Sequence, residues 1–249
     1  MKPTLDREAL GIKVTDVEAE TKKALEEAVR VATKARSVLF NGRNVDPVGA
    51  NWTLISSEIE TNLSKQIKTA TLGRLADLAP VNQGTSNQWN RSGPRKASGQ
   101  HTSQIPQPKK DMIGRLGELV VYHWLKERLP TQDIDKAWVS ENGFRQLGKQ
   151  GTDSAGYDFV VEYRRQTWQI EVKASLGDHQ RFEMGETEVR AARDAAKPRS
   201  TIRCCIIYVA DPHDPANTRI DVLPNPLSAE ADGVLDLLGE GVRFGFKRR

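Results

Sequence analysis

GYDFVVEYRRQTWQIEVKAS, residues 156–175, alternates apolar and polar residues on both sides of a short polar segment. An alternation with a period of two predicts β-strands, and YRRQ at residues 163–166 is typical of the turn that joins them. On the second strand every other residue from Trp168 to Val172 is apolar, so Glu171 and Lys173 share the opposite face. The stretch therefore predicts a hairpin that sets charged groups beside core residues.

The register of this hairpin decides which charged groups meet. If Tyr163 and Gln166 flank a two-residue turn, Asp158 lies directly opposite Glu171. Paired residues on antiparallel strands point to the same face, so we expect Asp158, Glu171 and Lys173 to form one cluster. A register shifted by one residue would place Asp158 on the other face and separate the cluster.

The cluster contains the groups that metal-assisted cleavage of a phosphodiester requires. Two neighbouring carboxylates repel each other unless a cation lies between them, and hard oxygen ligands suit Mg²⁺ or Mn²⁺. Such an ion can polarise the phosphodiester and lower the pKa of an attacking water, while Lys173 could hold that water or stabilise developing charge. The alternative is a solvated strand face with a weak cross-strand ion pair, which a lone E-x-K pattern usually indicates; with Asp158 added, the two interpretations fit about equally well.

The residues around the hairpin predict an α/β domain at residues 111–249. A helix is predicted at MIGRLGELVVYHWLKERL, then strands at AWVS, YDFVVEY and TWQIEVKAS. A second helix, GETEVRAARDAA, precedes strands at IRCCIIYVA and RIDVL. This order predicts a mixed central sheet flanked by helices, with the apolar run CCIIYVA as a central strand buried on both faces.

Residues 1–82 predict a helical N-terminal region. Apolar residues recur every three or four positions near residues 15–40 and again near 53–78, and NGRNVDPVGAN interrupts the two patterns. We expect two helices packed as a hairpin, serving as a packing or docking unit. This unit could also join copies of the chain into a homo-oligomer.

Residues 83–110 predict a flexible linker, because they contain few aliphatic side chains and no Asp or Glu. Their five basic residues could contact phosphates, and Arg91, Arg95 and Lys96 are the candidate nucleic-acid contacts. The alternative is a spacer that contacts no ligand.

Bulk properties restrict the class of protein. The 249 residues carry a formal charge of +4, which permits binding to nucleic acid without demonstrating it. No signal peptide or long apolar run is visible, so a cytoplasmic location without membrane contact is expected. The P-loop motif G-x-x-x-x-G-K-[ST] is missing from the sequence. ATPase or targeting functions are therefore expected from a protein partner or from a segment outside this sequence.

Four segments together resemble a known family. They are GRLGELVV with Glu118, SAGYDF with Asp158, IEVKAS with Glu171 and Lys173, and FEMGETEVRAA with Glu188. Their order is similar to that of the PD-(D/E)XK nuclease superfamily, and more narrowly to the domain called protein NO VEIN C-terminal. Tyr157 replaces the proline that usually precedes the aspartate in the superfamily.

The resemblance implies a restriction-endonuclease-like core and a role for each matching residue. Asp158 and Glu171 would bind Mg²⁺ or Mn²⁺ together with the Val172 carbonyl. Lys173 would orient the attacking water, and Glu118 would assist through a metal-bound water. The implied activity is that of a divalent-metal-dependent endodeoxyribonuclease, acting on DNA in prokaryotic restriction or anti-phage defence.

The role of Glu188 and of the helix that carries it has more than one interpretation. Glu188 fits the third position of a helix that begins after Gly185, where it would cap the helix, although it also belongs to the resemblance. On the same helix Arg190 and Arg193 could face DNA. The alternative to a nuclease is a catalytically silent module that binds nucleic acid or docks onto a larger defence complex.

Overall fold

The structure is a computed structural model that describes residues 14–68, 105–149, 153–232, 234–238 and 243–246. Its helices are α1 (Val14–Arg36), α2 (Trp52–Lys68), α3 (Gln107–Arg128), α4 (Ile134–Ala137), α5 (Glu141–Leu147) and α6 (Glu186–Ala195). Its strands are β1 (Val38–Phe40), β2 (Arg43–Val45), β3 (Phe159–Tyr163), β4 (Gln166–Ser175), β5 (Arg181–Glu183), β6 (Ile202–Ala210), β7 (Arg219–Pro224), β8 (Leu235–Leu237) and β9 (Arg243–Phe246).

The central sheet is mixed, as predicted, and has the strand order β3-β4-β6-β7. The pairs β3–β4 and β6–β7 are antiparallel, whereas β4 and β6 run parallel and are connected through α6. A parallel pair needs such a crossover, because its strands start at the same end of the sheet. The mixed α/β fold class expected from the sequence is confirmed.

Strand β6 lies at the centre of this sheet and is buried on both faces, as predicted from its apolar run. Cys205, Ile207 and Val209 belong to the larger core, which they share with α3. The alternate residues, including Ile206 and Tyr208, pack in a second core with α6. Both faces of β6 are therefore covered, which explains why this strand is apolar throughout.

The β3–β4 hairpin has the register expected from its turn. Tyr163 pairs with Gln166, and Phe159 pairs with Ile170. The two turn residues between them, Arg164 and Arg165, have φ angles of 52° and 62°. Two consecutive positive φ angles are typical of the two-residue turns whose twist matches a β-hairpin.

Helix α3 crosses the larger core and packs closely on β4. Twelve of its residues are buried: every position from Met112 to Leu125 except 114 and 115. A Cβ atom on Gly117 would lie only 2.5 Å from the Cβ of Ala174, so this glycine permits the close contact between helix and strand. The helix begins at Gln107, four residues before the predicted start of the domain.

The N-terminal region differs from the predicted helical hairpin in two respects. The short antiparallel strands β1 and β2 lie between α1 and α2. The apolar face of α2, with Ile55, Ile59 and Leu63, is buried in the core that contains α3. Residues 17–32 of α1 are instead exposed. Because residues 69–104 lie outside the described residues, the division into a helical region, a linker and a domain stays a prediction.

Two other parts of the domain differ from the sequence-based expectation. AWVS was expected to form a strand, but α4 extends to Ala137 and only Trp138 pairs, through a single bridge to Phe159. A second sheet with the order β5-β9-β8 was not predicted. It packs Phe182 and Phe244 into the second core.

Among the described helices, none has the length and apolar character needed to cross a membrane.

Candidate functional site

A cavity of about 280 Å³ lies at the end of the β3–β4 hairpin, and four of the five residues predicted to be catalytic or metal-binding line it. We call it the acidic cavity, and it is lined by Glu118, Gly156, Tyr157, Asp158, Glu171, Val172, Thr187 and Glu188. Four separate elements contribute to it: α3, the residues before β3, β4 and the first turn of α6. The structure therefore brings Glu118, Asp158 and Glu171 together.

Asp158 is fixed by three hydrogen bonds to backbone groups of neighbouring segments. Its Oδ2 accepts a hydrogen bond of 2.7 Å from the Val172 N–H. Its own N–H donates to the Ile170 carbonyl at 2.8 Å, and its carbonyl accepts from the Val139 N–H at 2.8 Å. Burial raises the pKa of Asp158 well above its ordinary value, and the carboxylates of Glu118 and Glu171 raise it further. A cation in the cavity would relieve this repulsion.

Glu118 is buried and fixed by three side chains that follow α4. Its Oε2 accepts from the Trp138 indole N–H at 2.8 Å and from the Ser140 hydroxyl. Its Oε1 accepts from the Asn142 amide at 2.6 Å. Ser140 also caps α5 by accepting from the Gly143 N–H. The carboxylate of Glu118 is thus oriented by a dedicated hydrogen-bond network, which the sequence analysis did not predict.

Lys173 lies between two glutamates. Its Nζ is 2.9 Å from Glu171 Oε1 and 2.5 Å from Glu188 Oε2. Burial acts to lower the pKa of Lys173, but Glu171 and Glu188 outweigh it, and the pKa is raised above its ordinary value. Burial also raises the pKa of Glu171 to about 8, in spite of the opposing effect of Lys173. Lys173 is therefore a persistent cation at neutral pH and a poor general base.

Glu188 caps α6 and also lies at the acidic cavity. Its Oε2 accepts from the Gly185 N–H at 3.0 Å, so it caps α6 as predicted. The same oxygen contacts Lys173, and the residue lines the acidic cavity. The cap thereby fixes the position of a carboxylate that holds the lysine.

The donors around the acidic cavity fit a hard divalent cation only in part. Asp158, Glu171 and Val172 all line this cavity. Within the described ranges, no group of three or more His, Cys, Asp or Glu side chains is arranged to hold a metal ion. Two carboxylates, a carbonyl and several waters would suit Mg²⁺, which retains much of its hydration when bound.

The predicted nucleic-acid contacts divide into two groups. Arg190 and Arg193 are exposed on α6. Arg190 lines a second cavity of about 250 Å³, which shares Tyr157 and Thr187 with the acidic cavity. Its other lining residues include Gln169 from β4. The second group, Arg91, Arg95 and Lys96, lies outside the described residues.

Gly156 positions the residues that lead into Asp158. It has a φ angle of +77°, and a Cβ atom there would lie 2.3 Å from the Thr187 carbonyl oxygen. We expect Gly156→Ala to lower the free energy of unfolding by about 3 kcal/mol, since it combines a positive φ with a backbone collision. Urea denaturation measures this change.

Gly148 supplies a matched control for that substitution. It has a φ angle of +67°, but a Cβ atom there would meet nothing within 4 Å. Gly148→Ala should therefore cost only about 1 kcal/mol, from the backbone conformation alone. Equal losses of stability in the two variants would show that the turn at Gly156 does not press against α6.

One comparison with known proteins found a match. Residues 117–202, less than half of the chain, match the family model described as Protein NO VEIN, C-terminal. The matched range contains Glu118, Asp158, Glu171, Lys173 and Glu188. A search of curated proteins and a search of solved structures each gave no match. The resemblance to the NO VEIN C-terminal domain is confirmed, and the wider resemblance to PD-(D/E)XK nucleases stays a prediction.

Proposed function

We propose that this chain, whose residues 117–202 resemble the NO VEIN C-terminal domain, is a divalent-metal-dependent endonuclease that hydrolyses phosphodiester bonds in DNA. One observation carries the proposal: Asp158 and Glu171 line a single cavity, with a raised pKa for each and a protonated Lys173 beside Glu171. Grouping buried acids and a lysine in this way is costly for stability, and perturbed groups in a cleft are typical of functional sites.

Each of the proposed catalytic and metal-binding residues has a distinct task. A bound Mg²⁺ or Mn²⁺ would supply positive charge that polarises the phosphodiester and makes an attacking water more acidic. Asp158 and Glu171, with the Val172 carbonyl, would hold the ion. Lys173, which remains protonated, would donate to the phosphate or to the water and stabilise negative charge as it develops. Glu118, fixed by Trp138 and its neighbours, would orient water at the cavity.

The surface beside the cavity supports DNA as the substrate. Arg190 and Arg193 project from α6, the helix whose first turn contributes Glu188 to the cavity. Basic side chains next to a cleft can bind the backbone phosphates that flank the cut. A role in restriction or anti-phage defence, with a protein partner that supplies ATPase or targeting functions, is part of the proposal and rests on the resemblance alone.

A catalytically silent binding or assembly module is the second candidate, and a specific observation favours it. Glu118 accepts three hydrogen bonds, and Lys173 is paired with both Glu171 and Glu188. These contacts compensate much of the buried charge without any metal ion. A domain that retains the fold for binding alone could keep such a network as a structural element.

The two candidates differ in what they do to DNA. Supercoiled plasmid and linear duplex are incubated with Mg²⁺, with Mn²⁺ or with EDTA, and nicked, linear and shortened products are separated on gels. The nuclease proposal expects nicking or linearisation of the plasmid with a metal ion and none with EDTA. Intact DNA under all three conditions, together with salt-dependent binding in a gel-shift assay, would favour the silent module.

A further inference from the structure

Helix α1 exposes an apolar stripe along its length. Residues 17–32 are all exposed, and Val17 and Val31, which lie on one face of the helix, have relative exposures of 42% and 58%. The helix has 23 residues and is therefore about 34 Å long. Because most helical stability in proteins comes from packing of an apolar face, a long helix exposed in this way is expected to have a partner.

The spacing of the smallest apolar residues is that of a helix–helix seam. The seam positions are separated by alternating steps of four and three residues, and they are Val17, Thr21, Ala24, Ala28, Val31 and Ala35. This alternation is the heptad pattern of residues that face a partner helix in a coiled coil. No seam residue is larger than valine, so a partner helix could approach closely.

The seam is symmetric about Glu26. When two copies of α1 run antiparallel with a two-fold axis at this residue, Val17 lies opposite Ala35 of the other copy. Thr21 then lies opposite Val31 of the other copy, and Ala24 lies opposite Ala28 of the other copy. A self-complementary surface of this kind is what a two-fold symmetric dimer requires.

The charges of α1 favour the same arrangement. Residues 17–27 contain four glutamates and two lysines, for a net charge of −2, while residues 28–36 contain three basic and no acidic residues, for +3. An antiparallel pair places each acidic half beside the basic half of the other copy. A parallel pair would place like charges together. In the antiparallel pair Glu20 of one copy lies close to Lys34 of the other, on the same side of the seam.

From these observations we infer that α1 is the interface through which two copies of this chain form an antiparallel dimer. The inference does not depend on the nuclease proposal, because it uses no residue of the acidic cavity. In this dimer, the seam of α1 is covered by the seam of α1 from a second copy of the chain.

Two matched substitutions test the seam. Ala28→Glu places a carboxylate at the centre of the interface, whereas Ala19→Glu makes the same chemical change on the opposite face of the helix. In sedimentation equilibrium we expect wild type and Ala19→Glu to have twice the 27.7 kDa mass of one chain. Ala28→Glu should weaken association at least about 100-fold, because it buries like charges that face each other. A monomeric wild type, or an Ala28→Glu variant that dimerises as wild type does, would overturn the inference.

A charge reversal tests the direction of the helices. Glu20→Lys and Lys34→Glu should each weaken the dimer, because each places like charges across the interface. The double variant restores opposite charges in an antiparallel pair and should recover the wild-type dissociation constant to within about threefold. A double variant whose loss equals the sum of the two single losses would overturn the antiparallel arrangement.

Discussion

Asp158→Ala is expected to abolish both cleavage of DNA and binding of the divalent ion. Asp158 is one of only two carboxylates proposed to hold the ion, and its position is fixed by the Val172 N–H. Changes to residues that merely support metal ligands typically cost 10- to 100-fold in metal affinity, so loss of a ligand should exceed about 100-fold. Calorimetric titration with Mn²⁺ measures the affinity, and the plasmid assay measures cleavage.

Two further variants separate the charge of Asp158 from its structural role. Asp158→Asn retains an oxygen that can accept from the Val172 N–H, so the local backbone should survive, but it removes the negative charge. We expect it to lose metal binding as Asp158→Ala does. Asp236→Ala, at an exposed aspartate on β8, should leave both activities unchanged. DNA binding should persist in all three variants, because basic residues elsewhere provide the phosphate contacts.

Lys173→Ala is expected to reduce cleavage on the order of 100-fold or more while metal binding largely survives. The substitution removes the cation proposed to stabilise developing charge, and loss of one such donor typically has an effect of this size. Both proposed metal-binding carboxylates remain in place. The assay compares the rate constant of cleavage at saturating Mg²⁺ with the Mn²⁺ affinity from calorimetry.

The same substitution has a cost for stability that must be distinguished from a catalytic effect. Lys173→Ala leaves Glu171 and Glu188 without their shared cation, and breaking a buried ion pair costs about 3 to 5 kcal/mol. The double variant Lys173→Met with Glu188→Gln removes the excess charge and should recover much of this loss. If the double variant regains stability and also cleaves DNA at the wild-type rate, Lys173 has no catalytic role.

The geometry of the hairpin could be derived from the sequence because it depends on local features. A two-residue turn and a period of two are enough to place Asp158 opposite Glu171, and the structure has the register that follows from them. The central position of β6 could also be predicted from the sequence, because a strand buried on both faces must be apolar throughout. Such patterns need no knowledge of how distant segments pack.

The network around Glu118 could not be derived in this way. Trp138, Ser140 and Asn142 are 20 to 24 residues away from Glu118 along the chain, and their contacts depend on how α3 and α5 pack. The short AWVS segment even predicted a strand, because its apolar residues carry no helical period. Ser140, as the cap of α5, was the one local signal that could have corrected this prediction.

The short strands were missed for a related reason. β1, β2, β5 and β8 have three residues each, which is too few for a periodic pattern to emerge. Within the described residues, α1 is exposed along residues 17–32. An apolar stripe shows that a helix has a packing face but does not identify the surface that covers it.

The most direct test of a metal site in the acidic cavity is an anomalous difference map from crystals grown with Mn²⁺. We expect one strong peak per chain, with the carboxylate oxygens of Asp158 and Glu171 about 2.1 Å away and Lys173 outside the coordination shell. A map without a peak in this cavity, or with ordered Mn²⁺ bound only elsewhere on the chain, would contradict metal binding by Asp158 and Glu171.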